Sequence, residues 1–294
     1  MNTASKFHTF ANVEKWKRGE NYDAVIASVS SSNGSLAPSH AHSGPDLIRR
    51  VSAALAREYK GKQHGWVDLV TGERFCSDIR IADAGEIANE FEPIPRPSAD
   101  ISRRIEKIRQ STRLLVMLIG DDSWTYEVMF SQTGKLLHLD AHIDKNPRYP
   151  DVLNHANHIE RLLQDNHEII VGHWGRRGIV PDEGDNIQRN SRYHILKDIK
   201  DVNIFFKMSD IIQKHIALDI DIVNPNEIMS VTCPMPGGPS LNTLEQLICS
   251  VGSFKTLSIA EFAPTSRFPT SATEAFALCE FILKAIDAGL KTSR

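Results

Sequence analysis

Six short apolar runs, interleaved with helix-like stretches, constrain this 294-residue chain more than any other feature. "YDAVIASVS" (22–30), "LLVMLIG" (114–120), "KLLHLDAH" (135–142), "HEIIVGHWG" (167–175), "IALDIDIV" (216–223) and "FKTLSIAEF" (254–262) read as buried strands. Their near-continuous apolarity suits a parallel sheet covered on both faces. Between them, "GPDLIRRVSAALAREY" (44–59) places Leu47, Val51 and Leu55 on one helical face. "VLNHANHIERLLQD" (152–165), "LNTLEQLICSV" (241–251) and "SATEAFALCEFILKAIDAGL" (271–290) behave similarly. The alternation predicts an α/β layer fold. No repeat or low-complexity linker interrupts it. The Pro-rich "FEPIPRPSAD" (91–100) reads as a surface loop, so one domain is expected over residues 1–294.

Composition narrows the partners. The formal net charge of -3 gives no general affinity for polyanions, so no nucleic-acid partner is expected. No apolar run approaches the roughly 20 residues that span a bilayer, so no membrane partner is expected either. The start, "MNTASKFHTF", is polar and lacks a secretory apolar core. Cys76, Cys233, Cys249 and Cys279 are far apart and form no CxxC pair, which suits free thiols in a reducing cytoplasm.

The chemistry lies where the apolar runs end. In open α/β sheets, ligands gather at the carboxyl ends of the strands. Four runs place polar groups there: "GDDS" (120–123), "DAHID" (140–144), "DID" (219–221) and Glu261. Asp140, His142 and Asp144 share a side if their strand continues, and so do Asp219 and Asp221. With Asp122 these groups repel one another strongly unless cations lie between them. Carboxylates with an imidazole suit Mn²⁺, and a bridging carboxylate fits a two-metal hydrolase that activates water.

These motifs resemble the ureohydrolase family of arginases and agmatinases, in the family's order. "GPDLIRR" (44–50) and "IADAGEI" (81–87) resemble its early elements. "IGDDS" (119–123) stands at its Gly-Gly-Asp-His-Ser, and "LDAHIDKN" (139–146) matches Asp-Ala-His-x-Asp. "GRRGI" (175–179), "LDIDIVNP" (218–225), "CPMPGG" (233–238) and "SIAEFAP" (258–264) complete the series. The resemblance implies a three-layer α/β/α sandwich with a central, mostly parallel sheet. It implies six metal ligands: Asp122, Asp140, His142, Asp144, Asp219 and Asp221. Asp140 and Asp219 would bridge two Mn²⁺ ions. Glu261 would accept a guanidinium, whose planar donor fork fits a carboxylate. Asp144, His155 and Glu261 are the expected catalytic residues. Asn146, His155 and Glu261 are the expected substrate contacts, with His158 as the alternative proton shuttle.

The chain departs from the pattern at Asp122, where the family places a histidine. An extra carboxylate there lowers the Lewis acidity of the first ion, so one metal per chain is an alternative to two. Ile119 and Arg267 also depart and point to a divergent substrate. Asp182, Glu183 and Asp185 form either a solvated acidic loop or an attractor for a second cationic centre. The implied activity is manganese-dependent hydrolysis of a small guanidino compound, agmatine-like or arginine-like, to urea and an amine. The alternatives are a hydrolase of modified guanidines, such as a hydroxyguanidine or peptidyl arginine, and a non-catalytic guanidine-binding paralogue. The family further implies a homo-oligomer, a trimer or hexamer.

Overall fold

In the computed structural model the described residues are 8–56, 58–59, 62–63, 65–89, 99–145, 152–178, 190–208, 213–265 and 270–291. Nine strands among them form one sheet. In chain order these are β1 (Glu14–Lys15), β2 (Tyr22–Ser30), β3 (Ile81–Asn89), β4 (Thr112–Ile119), β5 (Gly134–Leu139), β6 (Ile169–Trp174), β7 (Tyr193–Leu196), β8 (Lys214–Asp219) and β9 (Thr256–Ala260). Their spatial order is β1-β3-β2-β4-β9-β8-β5-β6-β7, and every pairing is parallel.

Period-two alternation builds the layers. In β4, Leu114, Val116 and Leu118 face one core while Leu115, Met117 and Ile119 face the other. The first core is closed by α1 (Gly44–Ser52), α5 (Ile199–Lys207), α6 (Leu241–Val251) and α7 (Ser271–Leu290). The second is closed by α2 (Ala99–Arg109), α3 (Trp124–Met129) and α4 (His158–Asp165). The result is the expected three-layer α/β/α sandwich. Each fully buried Leu, Ile or Met adds roughly 1.5–3 kcal/mol, so both faces of the sheet are anchored.

Several local expectations need correction. The helix from Gly44 ends at Ser52 and is followed by a short 3-10 turn over Ala53–Leu55. Its deepest face is Pro45, Ile48, Arg49 and Ser52, while Leu47, Val51 and Leu55 pack at its margin. The helix in 152–165 starts only at His158. β5 stops at Leu139 and β8 at Asp219, so neither acidic motif lies on a continuing strand. β1, β3 and β7 are strands that the apolar-run reading did not assign.

Candidate active site

The converging loops follow β4, β9, β8 and β5, four strands that are neighbours in the sheet. Strands lie about 4.8 Å apart, so groups at their carboxyl ends fall within ligand reach of one another. Sharp turns keep the acids there. Asp144 adopts φ 52° and Glu261 φ 63°, the left-handed region that costs a non-glycine residue about 1 kcal/mol or more. After β8 the chain tightens into a 3-10 turn, and the Asp219 carboxylate accepts from the Asp221 amide at 2.8 Å. The turn after β4 needs Gly120, because a Cβ there would sit 2.0 Å from the Ser31 carbonyl oxygen.

The six expected metal ligands come together. Donor atoms of Asp122, Asp140, Asp144 and Asp219 lie within 4.8 Å of one another, and so do those of Asp140, His142 and Asp221. The His142 ring approaches Asp221 at 2.7 Å through Nδ1, and the His142 amide donates to Asp140 Oδ1 at 2.6 Å. Burial and neighbouring carboxylates push Asp144 and Asp219 well above the usual carboxylate range, and Asp221 up to about 7. Burial disfavours a charged His142, but Asp140 and Asp221 outweigh it and hold the ring up at about 11. So many acids cannot ionise together here without added positive charge. Asp122 Oδ2 and Asp140 Oδ2 are buried and have no hydrogen-bond partner among the described residues. A hard or borderline cation fits this oxygen-rich donor set with imidazole.

Glu261 is 3% exposed, and its carboxylate is held at both ends. The Asp122 amide donates to Oε1 at 3.0 Å, and the Thr232 hydroxyl donates to Oε2 at 3.2 Å. His155 lies at the rim, its Nδ1 3.5 Å from Glu261 Oε1 and its Nε2 accepting from the Leu36 amide at 3.3 Å. His158 is different: it is fully buried beside Asp122, its Nε2 3.2 Å from Asp122 Oδ2. Asn146, Arg267, Asp182, Glu183 and Asp185 lie outside the described residues.

His138 was missed from the sequence and lies in the cluster. Its Nε2 is 3.3 Å from Asp140 Oδ2 and 3.6 Å from Asp122 Oδ2. The signal was present: His138 precedes Asp140 by two residues, so both face the same layer. The second-layer tie of the site was missed as well. Arg177 Nη2 donates to the carbonyls of Asp221 (2.9 Å) and Met235 (3.0 Å), and its Nη1 donates to Ile222 (3.1 Å). It thereby laces the 175–178 loop to the two loops beside it. Gly238, at φ 100°, permits this, because a Cβ would lie 2.9 Å from Arg177 Nη2.

This chain is similar to known proteins. An uncharacterised 32.2 kDa protein of Methanothermus fervidus is 24% identical over 192 residues, 62% of this chain and 66% of that protein. An N(1)-aminopropylagmatine ureohydrolase of Thermus thermophilus is 27% identical over 248 residues, covering 74% of this chain and 80% of that enzyme. Proclavaminate amidino hydrolase of Streptomyces clavuligerus superposes with a TM-score of 0.78 at 20% identity, covering 97% of this chain and 98% of that one. The profile of the Arginase family matches residues 22–286, and the chain belongs to that family.

Proposed function

We propose that this protein is a manganese-dependent amidinohydrolase that cleaves a guanidino compound with an agmatine-like tail to urea and an amine. The observation that carries the reading is the convergence of Asp122, Asp140, His142, Asp144, Asp219 and Asp221 beside a buried, anchored Glu261. Similarity to an aminopropylagmatine ureohydrolase supports a decarboxylated, cationic tail over arginine.

Asp122, Asp140, Asp144 and Asp219 would hold one ion, and His142 and Asp221 would join Asp140 in holding a second. When bound, such ions would supply Lewis-acid charge and lower the pKa of a solvent molecule. The chain's own groups do the rest. Glu261 receives the guanidinium donors and orients the carbon toward the carboxylate cluster. Asp144 accepts the hydrogen of the attacking water. His155, at the rim and next to Glu261, passes a proton to the nitrogen of the leaving amine. Asn146 is the residue that the family resemblance would assign to the tail. The protein would work in the cytoplasm as a homo-oligomer; no helix among the described residues is long and apolar enough to cross a membrane.

A panel of guanidines assayed for urea with added Mn²⁺ tests this. Agmatine and aminopropyl-extended agmatine are expected to turn over. Glu261→Gln is expected to lower kcat/KM by about 100-fold, because a guanidinium loses its charged acceptor. No turnover of any guanidine despite bound metal overturns the reading. Asp122 favours one second reading: turnover confined to hydroxyguanidines or peptidyl arginine would point to a specialised hydrolase.

A further inference from the structure

We infer that His158 is a metal ligand, the nitrogen donor that completes the ion site shared by Asp122 and Asp144. The inference rests on the metal-centred reading above but adds a residue to it. His158 is the first residue of α4 and has no exposed surface. Its Nδ1 lies 2.8 Å from the carbonyl oxygen of His155. A carbonyl only accepts, so Nδ1 carries the hydrogen in the neutral ring and Nε2 holds a lone pair.

That lone pair faces Asp122 Oδ2 at 3.2 Å, also an acceptor when the carboxylate is ionised. Neither atom has a hydrogen-bond partner among the described residues. The other Asp122 oxygen is already engaged by the Thr125 hydroxyl, which fixes the direction of Oδ2. Asp140 repeats the pattern: Oδ1 accepts from the His142 amide, and Oδ2 has no partner among the described residues. Two buried acceptors held against each other are repulsive, and a cation between them turns repulsion into coordination. The donor atoms of Asp122, His138, Asp144 and His158 all lie within 4.8 Å of one another, the span of one ion's ligand shell.

A backbone carbonyl fixing the far nitrogen is also what orients metal-bound histidines generally. His138 lacks that anchor: among the described residues neither ring nitrogen has a hydrogen-bond partner, and the ring packs on His173 with centroids 4.8 Å apart. Its Nε2 lies 3.3 Å from Asp140 Oδ2 and 3.6 Å from Asp122 Oδ2, and nothing among the described residues fixes which nitrogen carries the hydrogen. Of the two rings, His158 is therefore the one whose free nitrogen is fixed toward the ion site.

The test is an anomalous diffraction map at the manganese edge on wild-type protein loaded with Mn²⁺, together with calorimetric Mn²⁺ titration of wild type, His158→Ala and His142→Ala. The expected map shows an ion in bonding contact with His158 Nε2, Asp122 and Asp144. His158→Ala is expected to weaken one Mn²⁺ equivalent by roughly 100-fold or more. His142→Ala is expected to weaken the other and to spare this one. An ion on the carboxylates with His158 Nε2 out of bonding contact overturns the inference and leaves the proposed function standing. No manganese in the wild-type map, with none taken up in the titration, overturns both. The wild-type map decides the matter even if the alanine variant folds poorly.

Discussion

Two buried carboxylate clusters stand in this sheet, and they are built on opposite terms. Toward one edge, Asp83 on β3 meets Arg49 on α1. Arg49 Nε donates to Asp83 Oδ2 at 2.8 Å, and Nη2 donates to Oδ1 at 3.1 Å. The amides of Phe10 and Gly85 donate to the same carboxylate, each at 2.8 Å, and Arg49 Nη1 donates to Ser28 Oγ at 2.7 Å. That cluster is closed: its charges cancel and both carboxylate oxygens are used. At the centre, acids follow one another after β4, β5 and β8, and buried oxygens and ring nitrogens remain without partners among the described residues. A fold keeps a closed ion cluster for structure. An open one is costly unless a ligand completes it.

Breaking the closed cluster gives the largest expected effect. Asp83→Ala leaves the Arg49 guanidinium buried and uncompensated and should cost about 3–5 kcal/mol, read as a lower urea midpoint at unchanged slope. A cost below about 1 kcal/mol would mean that the pair is no better than a surface ion pair and would erase the contrast.

A buried histidine far from the centre sharpens the comparison next. His215 is the second residue of β8, and both ring nitrogens have partners at 3.1 Å, Thr256 Oγ1 and the Thr133 carbonyl oxygen. Burial holds its pKa down at about 4, assisted by nearby Arg109. The unfolded ring takes a proton near pH 6.5 and the folded ring does not until about 4, so protons favour the unfolded state between these values. Stability from this group is full above pH 6.5 and falls by up to about 3 kcal/mol as pH drops toward 4. The wild-type minus His215→Gln difference in stability should carry that slope. A flat difference would show the ring titrating alike in both states.

The closed and open clusters were not equally legible in sequence. Strands β2, β4, β5, β6, β8 and β9 announced themselves through unbroken apolar runs, as did α6 and α7 with their strong stripes. β3 was hidden because Asp83, Gly85 and Glu86 interrupt its apolar pattern, and Asp83 is there to hold Arg49. The acids at the strand ends were visible as motifs. Their common side was not, because Asp144 and the 3-10 turn after Asp219 leave strand geometry, and alternation no longer applies. His138 was passed over although it alternates with Asp140, and His158 was read only as an alternative proton shuttle. One looks like an interruption of a strand, and the other gains its position from where α4 starts.

Metal addition tests the open cluster directly. Mn²⁺ at 100 times its dissociation constant should stabilise the protein by about 2.7 kcal/mol per site, and a chelator should reverse the shift. The Asp83–Arg49 cluster should not respond, so Asp83→Ala should lower the melting curve equally with and without Mn²⁺. Thermal melts across an Mn²⁺ titration measure both. A melting point indifferent to Mn²⁺ would mean that the open cluster binds no ion in the folded state.

The smallest effect separates the clusters by sign. Asp219 is buried among Asp140, Asp221 and Glu261, which with desolvation push its carboxyl well above the usual range. Asn at this position keeps an oxygen to accept from the Asp221 amide, now at 2.8 Å, and removes one mutually repelling charge. Metal-free Asp219→Asn should therefore be more stable than wild type, by less than any effect above. With Mn²⁺ the order should invert, because a neutral amide is a poorer ligand than a bridging carboxylate and the stabilisation from binding shrinks. Crossing of the two melting series as Mn²⁺ rises would identify Asp219 as a residue kept for the ion at the fold's expense. If the variant is less stable at every Mn²⁺ concentration, Asp219 belongs with Asp83, as part of the structure itself.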